Sequence, residues 1–518
     1  MTAPGGTPAS AEPTQARRWP AWLGLAGVLV ALAWALVGYR AFVVNPEHDS
    51  GVRGYGIVAG GDHLYYGSMM LQFTGTPFAR SLQETAEHFE YPLDWQALST
   101  GYISPGLAPL IYPRPAQPLV GAVFEPVLGL DAILVPGILA AVALPFAAYL
   151  AARRLGAARW IAIPVILLLA TRTFDENGTG IYPEALLGLC LVGAAATLPW
   201  DRRRPSLADL SWLTLFIVLG TLTRQMAPAF VGLVLGALVW GLAFGDDRRG
   251  WWRSWRAPSA VAVLVGGAGT LLTSWWAPYD VLAWTQASTG TSTRLQALVH
   301  GVGRVPRVFL AELGDYVRHD PVFPLLLVLG VAAVVVVFRH PVVGALFGTA
   351  APLVLSVGLN GTGPFRYTEP ALTILVLVIA VALARLWPQP VLSPASSSRA
   401  RGWRSTALIA TPLVLTVGLV VATVAVYQPA RAVNIGELTA ADLEGAWPLT
   451  ASRLELSCGG DNGQVWGETP EGERMSLTGT AMARTPGTPS VMDFVKPSAT
   501  PAEIVRLALA RCPVPVPQ

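Results

Sequence analysis

The chain has 518 residues, of which 53% are hydrophobic and only 13% are charged. The charged share is about half that of an ordinary soluble domain, which excludes a purely soluble protein and indicates that most of the chain lies in lipid. The formal net charge of +3 says little by itself. The positions of the arginines matter more, because cytoplasmic loops of membrane proteins collect Lys and Arg.

The first 44 residues predict a tail followed by a membrane helix. Residues 1–18 are small, polar and Pro-rich and end in Arg17 and Arg18, which is typical of a disordered cytoplasmic tail. The apolar stretch from Trp19 to Val44 is longer than the core of a signal peptide and has no small-residue cleavage site close behind it. We therefore expect a retained helix that begins a transmembrane domain over residues 19–427.

A long extracytoplasmic loop at residues 45–130 contains two informative stretches. The sequence GGDHLYYGSMM at 60–70 places the carboxylate of Asp62 soon after the first membrane helix. The later stretch IYPRPAQPLVGAVFEPVLG predicts a short helix on the membrane surface, introduced by prolines and Arg114. An acid, paired tyrosines and a basic residue before an interfacial helix indicate an active site at the membrane face.

Basic clusters then alternate with apolar runs down the rest of the membrane domain. Six further spans are predicted near 131–152, 158–172, 181–199, 209–222, 257–277 and 406–427. Four others are predicted to end at the basic segment 246–256, at residues 339–340, at GLNGTGPFRYTEP and at the basic loop 388–404. With the first helix these make eleven crossings. The Arg clusters then all lie on one side, which predicts a bacterial cytoplasmic membrane protein with its N-terminus in the cytoplasm and its C-terminus outside.

Residues 428–518 differ in composition and predict a small periplasmic α+β domain. This segment is polar and turn-rich and contains Cys458 and Cys512. In an oxidising compartment these two cysteines are expected to form a disulfide, which in the chain-entropy model adds roughly 4 kcal/mol. Two unrelated thiols remain the alternative. The third cysteine, Cys190, lies inside a predicted span and is expected to pack as a small apolar residue.

Mapped onto this topology, polar residues accumulate at the extracytoplasmic membrane face. They are Asp62, Tyr65, Tyr66, Arg114, Asp175, Glu176, Glu184, Arg224, Gln225, Arg366 and Glu369. Charges at helix ends are costly in a membrane and tend to pair, face a cavity or serve a pathway, so this accumulation predicts a functional site.

The order of these features resembles the GT-C superfamily of integral membrane glycosyltransferases over about residues 19–385, in particular protein mannosyltransferase-like and aminoarabinose transferase-like enzymes. The resemblance lies in an acid soon after the first helix, the Pro-led interfacial helix, ARRLG after the second span, an acidic turn after the third, LTRQ between short helices, and the Arg-Tyr pair in a late loop, GPFRYTEP. The chain has YPRP where the family usually has HPP, and one Asp followed by His where an acid pair is typical.

The resemblance implies an all-α membrane fold of GT-C type that transfers a hexose or pentose, with inversion, from a polyprenyl-phosphate donor to an envelope glycan, lipid or protein. Asp62 would be the general base, and Arg224 and Arg366 would hold the departing phosphate. The predicted substrate-binding residues are Tyr65, Tyr66, Arg114, Asp175, Glu184, Gln225 and Tyr367. Membrane lipid is a further expected partner, and no nucleic acid is expected.

Each assignment has a structural alternative. Asp62 could orient a turn, as could Asp175 with Glu176. The tyrosines could be interface anchors, Arg224 could extend from a helix end towards the membrane surface, and Arg366 could mark a membrane boundary. Glu184 could pair with Arg224 or face the acceptor, and the sequence does not decide between them. The sequence indicates no cofactor with certainty. A divalent metal is an open alternative, but the irregular spacing of Asp62, His63 and His88 gives it no support.

Two other functional classes compete with the transferase. A transporter or flippase of envelope precursors would place ionisable or unwound segments near mid-bilayer in repeated halves, whereas this chain gathers polar residues at one face. A non-catalytic envelope scaffold would not need the carboxylate and arginine cluster. No phosphate-binding loop for a nucleotide is present in the sequence, which disfavours a cytoplasmic nucleotide-sugar enzyme or an ATP-driven pump.

Overall fold

A computed structural model describes residues 62–76, 78–88, 114–171, 174, 182–276, 281–320, 322–361, 364–387, 414, 418, 433–458, 465–477, 489, 491–496, 499 and 501–511. The membrane helix predicted at 19–44 lies outside the described residues. Of the span predicted at 406–427, only Val414 and Gly418 are described, and both are helical. The described part is mainly helical, with one small sheet near the C-terminus.

The described parts of the long loop at 45–130 are helical. They form α1 (Asp62–Phe73), α2 (Phe78–His88) and α3 (Ala116–Leu128), and a 3₁₀ turn then leads directly into the next helix. Helices α1 and α2 pack closely, with the hydroxyl oxygens of Ser68 and Ser81 2.7 Å apart. The short helix predicted after Arg114 is present as α3, and its apolar side chain Val127 is 85% exposed. Such exposure suits a helix in contact with lipid.

The remaining helices follow the predicted order. They are α4 (Val135–Arg154), α5 (Ala162–Leu169), α6 (Glu184–Thr197), α7 (Leu207–Arg224), α8 (Ala227–Phe244), α9 (Arg248–Trp276), α10 (Val281–Thr289), α11 (Arg294–His319), α12 (Val322–Val336), α13 (Pro341–Asn360) and α14 (Pro364–Leu386).

Six helical segments of the described residues are long and apolar enough to cross a membrane. They are Ala116–Arg154, Leu207–Arg224, Ala227–Phe244, Arg248–Thr273, Pro341–Asn360 and Phe365–Leu386. The apolar helices α6 and α12 are shorter, at 14 and 15 residues. The chain is therefore a multi-pass membrane protein, in agreement with its composition.

The span predicted at 257–277, after the basic segment 246–256, begins earlier in the structure than the sequence indicated. Helix α9 begins at Arg248, where the side chain of Asp247 accepts a hydrogen bond from the Gly250 N–H at 2.9 Å. Trp251 and Trp255, one turn apart, are buried with their ring centroids 5.5 Å apart. The helix extends into the charged segment because this capping and aromatic packing outweigh the polar composition.

The segment GPFRYTEP was also predicted as a loop, whereas Pro364 begins α14. Proline suits a first helical position, since its missing N–H would have no helical partner there. Phe365 is buried and packs edge-on against Phe309 and Phe323, with ring centroids 5.5 and 5.0 Å away. The Arg-Tyr pair of this segment therefore lies in the first turn of a helix.

Helices α8 and α13 touch along their backbones through glycines. Gly232 and Gly236 of α8 face Gly348 and Gly344 of α13, and a Cβ built on any of the four would overlap a carbonyl oxygen or side chain opposite. Small residues four apart allow membrane helices to approach this closely, and the resulting contact area replaces the hydrophobic force that is absent in lipid.

The C-terminal segment contains a four-stranded antiparallel sheet in the order β1 (Val433–Thr439), β2 (Arg453–Cys458), β3 (Val465–Glu468) and β4 (Arg474–Ser476). Helix α15 (Ala502–Arg511) follows, and the core combines both elements. The buried core residues are Leu438, Leu449, Leu454, Leu456, Val465, Met475, Leu477, Val491, Ile504 and Ala508.

Asp442 and Cys458 are two polar residues of this segment whose surroundings bear on its stability. Asp442 accepts hydrogen bonds from the Thr439 backbone and side chain and from Arg511 of α15, and these bonds hold its pKa below the usual range. Cys458 is buried at the end of β2. Cys512 lies outside the described residues, so the bridge between these cysteines stays a prediction.

The glycine contact between α8 and α13 should be essential for stability. Gly348→Ala places a methyl group against the Gly232 carbonyl and should cost about 1–3 kcal/mol, because the helices must separate. Gly267→Ala in α9 is the matched control, since its methyl group meets nothing within 4 Å and alanine favours a helix. Thermal melting in detergent should show a lower midpoint for Gly348→Ala only. Equal midpoints for the two variants would contradict the contact.

Candidate functional site

Three charged side chains from three helices meet at one end of the bundle. Glu184 is the first residue of α6, Arg224 is the last residue of α7, and Arg366 lies in the first turn of α14. Nη1 of Arg224 and Nε of Arg366 both donate to Oε1 of Glu184, the second at 2.8 Å. The Glu184 side chain is fully buried, Arg224 is 1% exposed and Arg366 is 21% exposed. We call these three residues the Glu184 cluster.

Close helix packing brings the cluster together. One turn after Glu184, a Cβ on Gly188 would lie 2.7 Å from the Thr373 side chain of α14. One turn before Arg224, Gly220 approaches the Phe230 ring. A Cβ built on Gly220 would lie 3.4 Å from the Cβ of Cys190 in α6. Because a larger residue would separate the helices at either glycine, the sequence sets the spacing on both sides of Glu184.

Gln225 ends α7 and turns the chain towards α8. Its φ of +54° lies in the left-handed region, which is uncommon for a residue other than glycine. Its N–H donates to the Thr221 carbonyl at 2.7 Å, closing the last turn of α7. The chain therefore turns at Gln225, within the LTRQ sequence between the two helices, and Arg224 lies at the final helical position.

Aromatic rings lie against both guanidinium groups. Cζ of Arg224 lies 4.2 Å from the centroid of the Tyr367 ring, and Cζ of Arg366 lies 3.6 Å from that of Tyr182. A cation over an aromatic face is stabilised electrostatically, most strongly where water is excluded. Tyr367 was among the predicted site residues. Tyr182 was not, although its place two residues before Glu184 in Tyr-Pro-Glu was a usable signal.

A second group of predicted residues lies on α1 and before α3. Nη1 of Arg114 donates to the hydroxyl of Tyr66 at 3.4 Å, and both residues are buried. Tyr65 is buried as well. Burial of both tyrosines argues against their role as exposed interface anchors. Arg114 also lies close enough to Arg224 for the two charges to interact, so this group adjoins the Glu184 cluster.

Asp62 is the first residue of α1. It precedes Tyr66 by four residues, one helical turn, so the two positions share a face of α1. That places the Asp62 backbone on the side of α1 that contacts Arg114. Its side chain lies outside the described part of the structure, and its catalytic role stays a prediction.

Among the described side chains at this end of the bundle, arginines outnumber carboxylates. Arg114, Arg224 and Arg366 are three cations, and the described carboxylates are Glu184 and the buried Glu369 one turn beyond Arg366. The side chains of Asp62, Asp175 and Glu176, which were predicted for the same site, lie outside the described part of the chain. Nη2 of Arg224 is buried and forms no hydrogen bond within the described part of the chain. A buried donor without a partner costs free energy, and an anionic oxygen would satisfy it.

Some predicted residues cannot be placed. Asp175 and Glu176 lie outside the described residues. The side chain of Gln225 forms no hydrogen bond with any described residue. His88 lies 3.0 Å from Asp131, measured from Nε2 to Oδ1. No group of three or more His, Cys, Asp or Glu side chains that could hold a metal occurs among the described residues.

Comparison with known proteins gives distant similarities only. No protein-family model and no curated protein matches the chain. The archaeal oligosaccharyltransferase AglB from Archaeoglobus fulgidus, solved with an inhibitory peptide and a dolichol-phosphate, is similar at 14% identity and a TM-score of 0.41, over 78% of this chain and 55% of its own. ArnT from Cupriavidus metallidurans, solved with undecaprenyl phosphate, is similar at 17% identity and a TM-score of 0.43, over 79% of this chain and 75% of its own. The chain thus spans about half the length of the archaeal protein.

Glu184→Gln should destabilise the fold strongly. The substitution keeps the side-chain size but removes the carboxylate that hydrogen-bonds both arginines of the cluster, at a cost of about 3–5 kcal/mol for a broken buried pair. The control is Glu84→Gln, which breaks the exposed pair with Arg80 one turn away. Thermal melting in detergent should separate the two variants clearly. A Glu184→Gln midpoint equal to that of the control would show that the cluster is not an ion pair network.

Proposed function

We propose that the chain is a membrane glycosyltransferase. Its donor is a sugar linked to polyprenyl phosphate, and its acceptor is an envelope glycan, lipid or protein at the outer face of the cytoplasmic membrane. The observation that carries the proposal is the Glu184 cluster, in which two arginines share one carboxylate and Arg224 keeps a buried N–H group without a partner among the described residues. A lipid phosphate would supply the missing hydrogen-bond acceptor.

The cluster suits a departing phosphate chemically. When the bond between sugar and phosphate breaks, negative charge develops on the phosphate oxygens, and fixed cations stabilise it most where water is excluded. Arg366 is the more exposed of the two arginines, so the phosphate reaches the cluster from its side. Arg224 then contributes Nη2, while its Nη1 remains bonded to Glu184. In this assignment Glu184 positions both arginines and does not touch the acceptor.

The acceptor needs a base at the other end of the reaction. Its hydroxyl must lose a proton as it attacks the sugar carbon, and a carboxylate within hydrogen-bond reach can take that proton. Asp62 is assigned this role because it begins α1 on the face that carries Tyr66 and Arg114. Attack from the side opposite the phosphate inverts the sugar carbon.

The proposed architecture is a GT-C-like arrangement of eleven crossings, with the N-terminus in the cytoplasm and the C-terminal domain outside. The positions of the cluster residues support it. The start of α6, the end of α7 and the start of α14 lie on one face when successive spans alternate in direction. The cluster also lies at helix ends instead of mid-span, so the described residues give a transporter no specific support.

Arg224→Lys should impair turnover nearly as much as Arg224→Ala. Arginine can donate to Glu184 from one nitrogen and to a phosphate from another. The lysine side chain has a single nitrogen and cannot reproduce this geometry. The matched control is Arg154→Lys, which alters an arginine paired with Asp209 at 2.7 Å and partly exposed. Transfer from a polyprenyl-phosphate sugar in proteoliposomes should fall by about 100-fold for a lost donor to developing charge. Full activity of Arg224→Lys would exclude the phosphate role.

Asp62→Asn should strongly reduce transfer while leaving donor binding little changed. The amide keeps the shape of the side chain but cannot accept the proton, so turnover should fall by about 100-fold or more.

In cells, loss of the gene should remove one sugar from an envelope component and raise the level of its polyprenyl-phosphate form, both visible by mass spectrometry. The wild-type gene should reverse both changes, and the Asp62→Asn gene should not.

Two results would contradict these assignments. Near-normal transfer by Asp62→Asn would remove Asp62 as the base, and loss of transfer in Asp175→Asn instead would move the base to the loop after α5. An unchanged set of envelope glycans and polyprenyl-phosphate sugars in cells without the gene would overturn the transferase proposal itself.

A further inference from the structure

Helix α11 carries an exposed apolar stripe along its length. The stripe consists of Leu295, Val299, Val302, Leu310 and Val317, which are between 47% and 69% exposed. The intervals between these positions are three or four residues or sums of these, so the side chains lie on one side of the helix. In a multi-pass membrane protein a long exposed stripe of this kind suits contact with lipid chains.

A basic pocket lies on the neighbouring side of the same helix. It has a volume of about 330 Å³ and is lined by His300, Arg304, Arg307, Val308, Ala311 and Gly361. His300, Arg304, Arg307 and Ala311 follow one another at four- and three-residue intervals and therefore form a second face of α11. The described residues that line this pocket include three basic side chains and no acidic one.

Arg304 is held rigidly at the base of the pocket. Its Nε and Nη2 donate to the carbonyl oxygens of Gly358 and Leu359, in the last turn of α13, where carbonyls lack helical partners. Gly361 directly follows the last residue of α13 and has a φ of +78°. A Cβ on Gly361 would lie 2.8 Å from the guanidinium carbon of Arg304. The glycine is thus required for the arginine to lie across the end of α13.

The other two basic side chains are not used by the fold. His300 and Arg307 are exposed and make no hydrogen bond or ion pair with any described residue. With Arg304 they line a concave space whose three polar groups are all nitrogen donors. Such a set recognises a phosphate, because arginine donates to phosphate oxygens with good geometry and histidine adds a further N–H.

We infer that this pocket binds the headgroup phosphate of an anionic bilayer phospholipid, with the acyl chains along the apolar stripe. The neighbouring faces favour a lipid over a free anion, because Val299 directly precedes His300 and lies about 100° around the helix from it. A free phosphate would use the pocket and leave the stripe uncovered. The site is separate from the Glu184 cluster and does not depend on the proposed transferase activity.

The test measures binding of dioctanoyl phosphatidylglycerol to the full chain in a neutral detergent, by thermal stabilisation and by native mass spectrometry. The test variant is the double substitution His300→Gln with Arg307→Gln, which leaves the structural Arg304 intact. Loss of a charge-assisted hydrogen bond should weaken binding by about tenfold or more. The control Arg249→Gln removes an exposed arginine at the start of α9, and it should bind as the wild type does.

Further arms distinguish the source of the phosphate and the location of the site. Glycerol phosphate should bind far more weakly than the phospholipid, and dioctanoyl phosphatidylcholine should bind more weakly because its headgroup carries a compensating cation. The melting midpoint of Arg366→Gln without ligand shows whether this variant folds. The folded variant should bind phosphatidylglycerol as the wild type does. Equal binding by the double variant, equal binding of glycerol phosphate or of phosphatidylcholine, or loss of binding in folded Arg366→Gln would each overturn the inference.

Discussion

The shared carboxylate of Glu184 is the constraint on which the rest of the site depends. Removing a charge from water costs several kcal/mol, and Glu184 is fully buried while Arg224 is almost so. Only close, well-oriented partners offset that cost, so α6, α7 and α14 must keep their separations closely. The glycines at 188 and 220 fix those separations, and the rings of Tyr182 and Tyr367 fix the planes of the guanidinium groups.

The sequence predicted most of the described helices, and it placed Glu184, Arg224 and Arg366 together at one end of the bundle. Apolar runs and arginine clusters predicted most spans, since burial in lipid requires long apolar helices. The sequence failed where helices begin in polar segments. The helix that starts at Arg248 is capped by Asp247, which accepts a hydrogen bond from Gly250 three residues on. The helix that starts at Pro364 is held by Phe365, which packs against Phe309 and Phe323, and these contacts join residues distant in the chain.

The side-chain pairings could not be read from one sequence. Glu184, Arg224 and Arg366 were each placed at the same face, but their common hydrogen bonds depend on helix rotation and on the glycine contacts that set helix distances. Tyr182 and the facing glycines of α8 and α13 were missed for the same reason. A glycine pair four residues apart was visible in each helix, whereas the pairing of the two helices was not.

The arrangement of the two arginines explains why the cluster suits an anion. Glu184 holds both of them, so one carboxylate is shared between two guanidinium groups. Nη2 of Arg224 is buried and has no hydrogen-bond partner among the described residues. Because the fold already holds both guanidinium groups in place, a phosphate in the proposed reaction would require little movement of them, and their interaction would be available for stabilising the charge that develops as the phosphate leaves.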